Sequence, residues 1–187
     1  NLRSKTATVE DSVTVTAAYS VLNGQTLNHD GSETGQALVV SIAAADAAGD
    51  LNNITSDITN MTANFTESQT FTGNLNSKTA AVADGVTVTA AAADLTGDTV
   101  AAAGSGNIAI TALHSTTTAN LSGLSSGTGT VTAAFDGNAT FTGNLGTATV
   151  TVADSVTMTA AYSVLNGKTV NHDGSETGQA LVVSIAA

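Results

Sequence analysis

The sequence predicts an all-β chain wound as a parallel β-solenoid (β-helix) of about 22–25 residues per rung. Three observations lead there. Long stretches repeat one another, and short apolar triplets recur at a nearly constant spacing. The composition is 42% hydrophobic with aromatics at only 3% and with neither Pro nor Cys, so burial has to come from many Val, Ile, Leu and Ala side chains. Small residues suit a narrow interior and Thr suits the outward face of a strand. Stacked rungs then repeat the same inward positions.

The repeats set the organisation. Asp11 to Ala44 recurs as Asp154 to Ala187 at an offset of 143, with Val15 against Met158, Gln25 against Lys168 and Leu27 against Val170 as the three differences. A weaker copy runs from Asp84 to Val100, and FTGNL occurs at Phe71 to Leu75 and again at Phe141 to Leu145. The expected units are therefore 1–73, 74–143 and a partial 144–187 that matches 1–44.

Within the units, the triplets beginning at Val13, Leu38, Met61, Val86, Ile108, Val131 and Val156 follow at spacings of 25, 23, 25, 22, 23 and 25. Alternating apolar and Thr or Ala residues mark each as a half-buried strand, and together they predict one ladder on one face. Further strands are expected at Thr70 to Thr72, Thr140 to Thr142 and Thr149 to Val152, with corners at Asn23-Gly24 and Asn166-Gly167. Ala43 to Ala48 and Ala90 to Ala93 could pass for helix, but Gly49 and Gly97 close behind them argue against extension. The alternative architecture is a row of tandem β-sandwich repeats of about 70 residues. It fits less well, because sandwich cores usually carry larger aromatics and have no place for so short a sub-period. A transmembrane barrel would need aromatic girdles.

The pattern NLxxxTxTVxDxVTxTA, with FTGNL and Leu51-Asn52-Asn53-Ile54-Thr55 around it, resembles the Thr/Ala/Val-rich β-strand-repeat proteins that bacteria place on their surfaces as surface-layer, adhesin-like or filament-forming chains. The resemblance covers nearly the whole chain. It implies an extracellular or cell-surface location and a structural role in a filament, surface layer or matrix, with other copies of the chain as partners. The alternative it leaves open is a binding module of an adhesin that engages a glycan, a cell or an ice surface. Thr-x-Thr triplets would suit ice, but Leu38-Val39-Val40 and Ile108-Ala109-Ile110 interrupt the array.

One loop has the composition of a metal site. Asn28-His29-Asp30-Gly31-Ser32-Glu33 recurs as Asn171-His172-Asp173-Gly174-Ser175-Glu176, setting oxygen ligands at close intervals around a Gly, as calcium loops do. Asp30, Glu33, Asp173 and Glu176 are the expected calcium ligands. The bland reading of the same residues is a solvated polar corner, since the spacing lacks the more distant Glu of an EF-hand and the nonapeptide of calcium β-rolls. His114 stands apart from both loops.

Charge excludes other classes. Fifteen acidic residues against four basic ones give a net charge of -11, which repels nucleic-acid phosphates and anionic lipid. The longest mostly apolar stretch, Ala37 to Ala45, is far shorter than the ~18–20 residues of a spanning helix, so no membrane insertion is expected. Asn1 in place of an initiator Met reads as a mature product or an excerpt. No phosphate loop or dinucleotide fingerprint occurs, and a Ser, His and Asp triad does not follow from composition in a chain this rich in Ser. The chain is expected not to be an enzyme. Asn-x-Ser/Thr sequons at Asn53, Asn60, Asn64, Asn120 and Asn138 are near chance for such a composition.

Overall fold

A computed structural model describes residues 5–31, 35–174 and 178–185. In chain order it begins with β1 (Thr6–Val9), β2 (Thr14–Ala18), the single helical turn α1 (Tyr19–Leu22), β3 (Thr26–His29) and β4 (Ala37–Ile42). Two 3₁₀ turns, Ala44–Asp46 and Leu51–Asn53, lead to β5 (Thr55–Ser56), β6 (Met61–Phe65) and β7 (Gln69–Phe71). The series resumes with β8 (Thr79–Val82), β9 (Thr87–Ala91), α2 (Ala92–Leu95), β10 (Val100–Ala102) and β11 (Asn107–Thr111). A 3₁₀ turn at Leu113–Ser115 precedes β12 (Leu124–Ser126), β13 (Val131–Phe135) and β14 (Ala139–Phe141). The last elements are β15 (Thr149–Val152), β16 (Thr157–Ala161), α3 (Tyr162–Leu165), β17 (Val170–His172) and β18 (Ala180–Ser184). The Ala-rich stretches thus form one helical turn each at most. Among the described residues no helix is long and apolar enough to cross a membrane.

The protein is mostly β, and every strand pairing is parallel, joining a strand to the next but one. Among the described residues four sheets result: β1-β3-β5, the six even strands from β2 to β12, the six odd strands from β7 to β17, and β14-β16-β18. This is compatible with a parallel β-solenoid. It is not the antiparallel pairing of a β-sandwich.

Two expectations need correction. The step between paired strands is not confined to 22–25 residues: Thr62 pairs with Thr79, 17 residues on, and Thr26 with Thr55, 29 on. The short steps fall where FTGNL brings the chain from β7 to β8, and from β14 to β15, with a buried Leu75 or Leu145 at the corner. Nor do the seven triplets form one ladder. Val15, Leu38 and Met61 pair in register in one sheet, Val88, Ile108 and Val131 in a second, and Met158 with Leu181 in a third.

The reason is parity. Among the described residues seven strands lie between Thr6 and Phe71 and seven more between Thr79 and Phe141, while pairing skips alternate strands. An odd number of strands per repeat moves each equivalent strand into the other series, so β2, β9 and β16 occupy three successive sheets.

Inward residues alternate along each strand: Met61, Ala63 and Phe65 of β6 are buried, as are Val131, Ala133 and Phe135 of β13. Four Phe side chains lie at the centre in edge-to-face pairs, Phe65 with Phe71 at 5.1 Å and Phe135 with Phe141 at 5.4 Å between centroids. The rest of the core is Leu, Ile, Val, Ala and Met. FTGNL has a physical explanation residue by residue. Its Phe and Leu point inward. A Cβ on Gly73 would collide with the Gly49 carbonyl oxygen, and one on Gly143 with that of Ala119. Asn74 and Asn144 fold the corner by accepting from the amides two residues on, at Asn76 and Gly146.

Candidate functional site

The polar loop expected to bind calcium lies at the end of β3. Asn28 and His29 are half-buried and Asp30 is exposed. Gly31 takes φ +130°, and its amide donates to His29 Nδ1 at 3.2 Å. The carboxylate that meets this loop is Asp57, from the connection after β5: Oδ1 accepts from the His29 amide at 2.7 Å, and Oδ2 lies 3.6 Å from Nε2. Asp57 was not among the expected ligands. Glu33 and Glu176 lie outside the described residues. In the second loop His172, Asp173 and Gly174 are exposed, and the Gly174 amide donates to His172 Nδ1 as its counterpart does. Among the described residues no three His, Asp or Glu side chains converge as a metal centre. What the geometry shows at the first loop is a hydrogen-bonded tie between β3 and the next turn of chain.

A surface hollow of about 420 Å³ lies between the corner at Gly73–Ser77 and the segment after α2, and Asp94, Thr96 and Asp98 help line it. Burial pushes the Asp98 carboxyl above the usual carboxylate range, opposed by a hydrogen bond from the Ser77 amide. Asp84 on another corner shifts the opposite way. The Ser105 amide and hydroxyl both donate to its Oδ1, at 2.7 and 2.8 Å, and hold its pKa below the ordinary value.

The most chemically specific cluster is one that the sequence did not single out. After β11, Ala112 takes a left-handed conformation (φ +55°) and starts the 3₁₀ turn Leu113–Ser115, which the buried Leu113 anchors. His114 on that turn is not alone. Its Nδ1 lies 2.6 Å from Asp136 Oδ1, and its Nε2 lies 2.9 Å from the Ser115 hydroxyl. A carboxylate only accepts, so Nδ1 carries the proton, and in the neutral imidazole Nε2 accepts from the Ser115 hydroxyl. Asp136 follows β13, which pairs with β11 at a step of 23 residues (Ile108 with Val131). The available signal was therefore a carboxylate 22 residues after a His, close to one pairing step. Gly137 completes the arrangement, since a Cβ there would stand 2.9 Å from His114 Cγ.

The chain matches no protein-family profile, no curated protein and no solved structure.

Proposed function

We propose that the chain is a structural repeat segment of a parallel β-solenoid, built into an extracellular bacterial filament, surface layer or matrix in which turns stack end to end. The observation that carries this reading is the surface of the last strand pair. Leu38, Val40 and Ile42 of β4 are fully buried beneath β6, whereas their counterparts Leu181, Val183 and Ile185 are 45%, 40% and 80% exposed. A sequence that is core in one place is open surface in the other. The first copy also defines what fits that surface: a turn with the side chains of Met61, Ala63 and Phe65, supplied by more of the same chain or by another copy. Fully burying a Leu or Val stabilises by roughly 1.5–3 kcal/mol, so an uncovered row of them favours stacking. The acidic surface keeps such an assembly soluble, and the Asp30–Glu33 and Asp173–Glu176 loops would take up calcium weakly at its corners.

Light scattering across a concentration series, with electron microscopy of the same samples, tests the reading. Mass that grows with concentration and rods of constant width are expected. A monomer at every concentration, with rapid hydrogen exchange persisting in β18, would overturn it. Thermal melts with calcium and then with chelator test the loops, where a reversible rise in Tm with calcium is expected.

A further inference from the structure

We propose that Ser115, His114 and Asp136 form an acyl-accepting relay in which the Ser115 hydroxyl is a nucleophile toward small, activated esters. The order of contacts is what the chemistry requires. Asp136 holds the Nδ1 proton, which fixes the tautomer, and Nε2 faces the hydroxyl whose proton it must take. Ser115 is exposed, and the His114 and Asp136 side chains are open enough for a small ester to approach.

A second observation separates this cluster from the other polar ties of the fold. At an offset of 70 residues, which superposes FTGNL on FTGNL, the preceding repeat has Ala44, Ala45, Thr66 and Glu67 where this one has His114, Ser115, Asp136 and Gly137. The turn at Ala44–Asp46 is formed without any of the three relay groups. It is tied instead by Glu67 accepting from the Ala44 amide at 3.1 Å. The fold therefore does not need the relay in order to make this corner. The substitutions bring nucleophile, base and orienting carboxylate together at once, and the Gly makes room for the ring.

The reaction follows from the geometry. Oγ attacks the ester carbonyl carbon while its proton passes to Nε2. The bond from the carbonyl carbon to the leaving oxygen breaks with its electron pair on that oxygen, which takes a proton from Nε2 to leave as the alcohol. Water then attacks the acyl-serine and gives a proton to Nε2. The bond from Oγ to the acyl carbon breaks, Oγ recovers the proton, and the acid departs, so one ester and one water give one acid and one alcohol. The amides of Ser115 and Thr116 are engaged with Ala112 and Leu113 carbonyls, at 3.0 and 3.2 Å, and do not form an oxyanion site. That limits the substrates to esters with a good leaving group and makes the acyl-serine long-lived.

The test is acetylation of the full chain by p-nitrophenyl acetate, followed by peptide mapping. Acetyl on Ser115 is expected at a rate at least about tenfold above any other Ser or Thr, falling at least about tenfold in His114→Gln. Asp136 acts through His114 as a positioning residue, and Asp136→Asn gives it a separate readout. The elements packed against the turn are β13, β14 and α2, and Asp94 on α2 is the titratable group they carry besides Asp136 in the β13–β14 connection. Removing the carboxylate leaves Nδ1 without its acceptor, so Ser115 acetylation should slow at least about tenfold while the other hydroxyls keep their rates, and Asp136→Glu should restore part of it. Circular dichroism on each variant checks the fold. Acetyl spread evenly over the hydroxyls, acetyl on His114 itself, or a Ser115 rate unchanged in folded His114→Gln would each overturn the proposal.

Discussion

The segments Asp11 to Ala44 and Asp154 to Ala187 differ at three positions, yet they are buried on opposite sides. In the first, Tyr19 is 7% exposed and its hydroxyl donates to the Asp50 carbonyl at 3.3 Å, while in the second Tyr162 is 55% exposed and its hydroxyl turns to Asn166 Oδ1. At the other end of the segment the order reverses: Val13 is 41% exposed and Val156 is 6% exposed. The first copy is covered by the turn that follows it, through β4 and β6, and the second by the turn that precedes it, through β14 and β16. Burial here is conferred by neighbours rather than written into the segment, as expected of a stack in which each turn contacts only those beside it.

The largest difference should come from the shared Leu. Leu38→Ala removes a fully buried side chain and should cost about 2–5 kcal/mol, whereas Leu181→Ala should cost under about 1 kcal/mol in the isolated chain. Denaturant melts of the two variants measure both. Equal costs would break the comparison, and a Leu181→Ala cost that rises with protein concentration would sharpen it, by showing that this face is covered in an assembly.

The mirror experiment uses the opposite side. Val156→Thr places a hydroxyl at a buried position and should lose about 1–3 kcal/mol, while Val13→Thr should stay within about 0.5 kcal/mol. A smaller effect is expected at the tyrosines. Tyr19→Phe removes a part-buried hydrogen bond worth about 1 kcal/mol, and Tyr162→Phe an exposed one with almost no net contribution.

The same dependence on neighbours decides how much was legible in advance. Alternation within a strand is local, and β6, β9, β11 and β13 could be read from Met61, Val86, Ile108 and Val131 with their following Thr or Ala residues. The strands β8 and β10 are rich in Ala, which carries little strand signal, and they were missed. Register was legible to within two residues: Val15, not Val13, stands opposite Leu38, which leaves Val13 exposed. Assignment to sheets was not legible, because it depends on counting every strand in the repeat, and β1, β3, β5, β8, β10, β12 and β17 were all absent from that count. The partners of the polar clusters were not legible for a related reason. Asp57 beside His29 and Asp136 beside His114 each come from the next turn of chain, so their distance in sequence follows from the pairing step and from no motif.

The corner after each helical turn offers the finest comparison, and the smallest expected effect. Counting from α1, α2 and α3, equivalent positions hold Gln25, Asp98 and Lys168. Gln25 donates to the Asn23 carbonyl and accepts from the Lys5 amide, and Lys168 Nζ donates to the Gly146 carbonyl. Asp98 has the Ser77 amide, but its charge is disfavoured by burial, and that is the larger of the two influences. Its pKa is therefore raised in the folded protein, which binds a proton there more readily than the unfolded chain does. By linkage, the folded state loses stability at this site as the pH rises through the raised value, and regains it as the pH falls. Asp98→Gln, which copies the first corner, should raise Tm at neutral pH by about 1–2 °C. The gain should shrink once acid has protonated Asp98 in the parent chain. A gain that stays constant across the acid range would assign the effect to the shape of Gln rather than to the buried charge, and a loss at neutral pH would mean that the three corners are not equivalent.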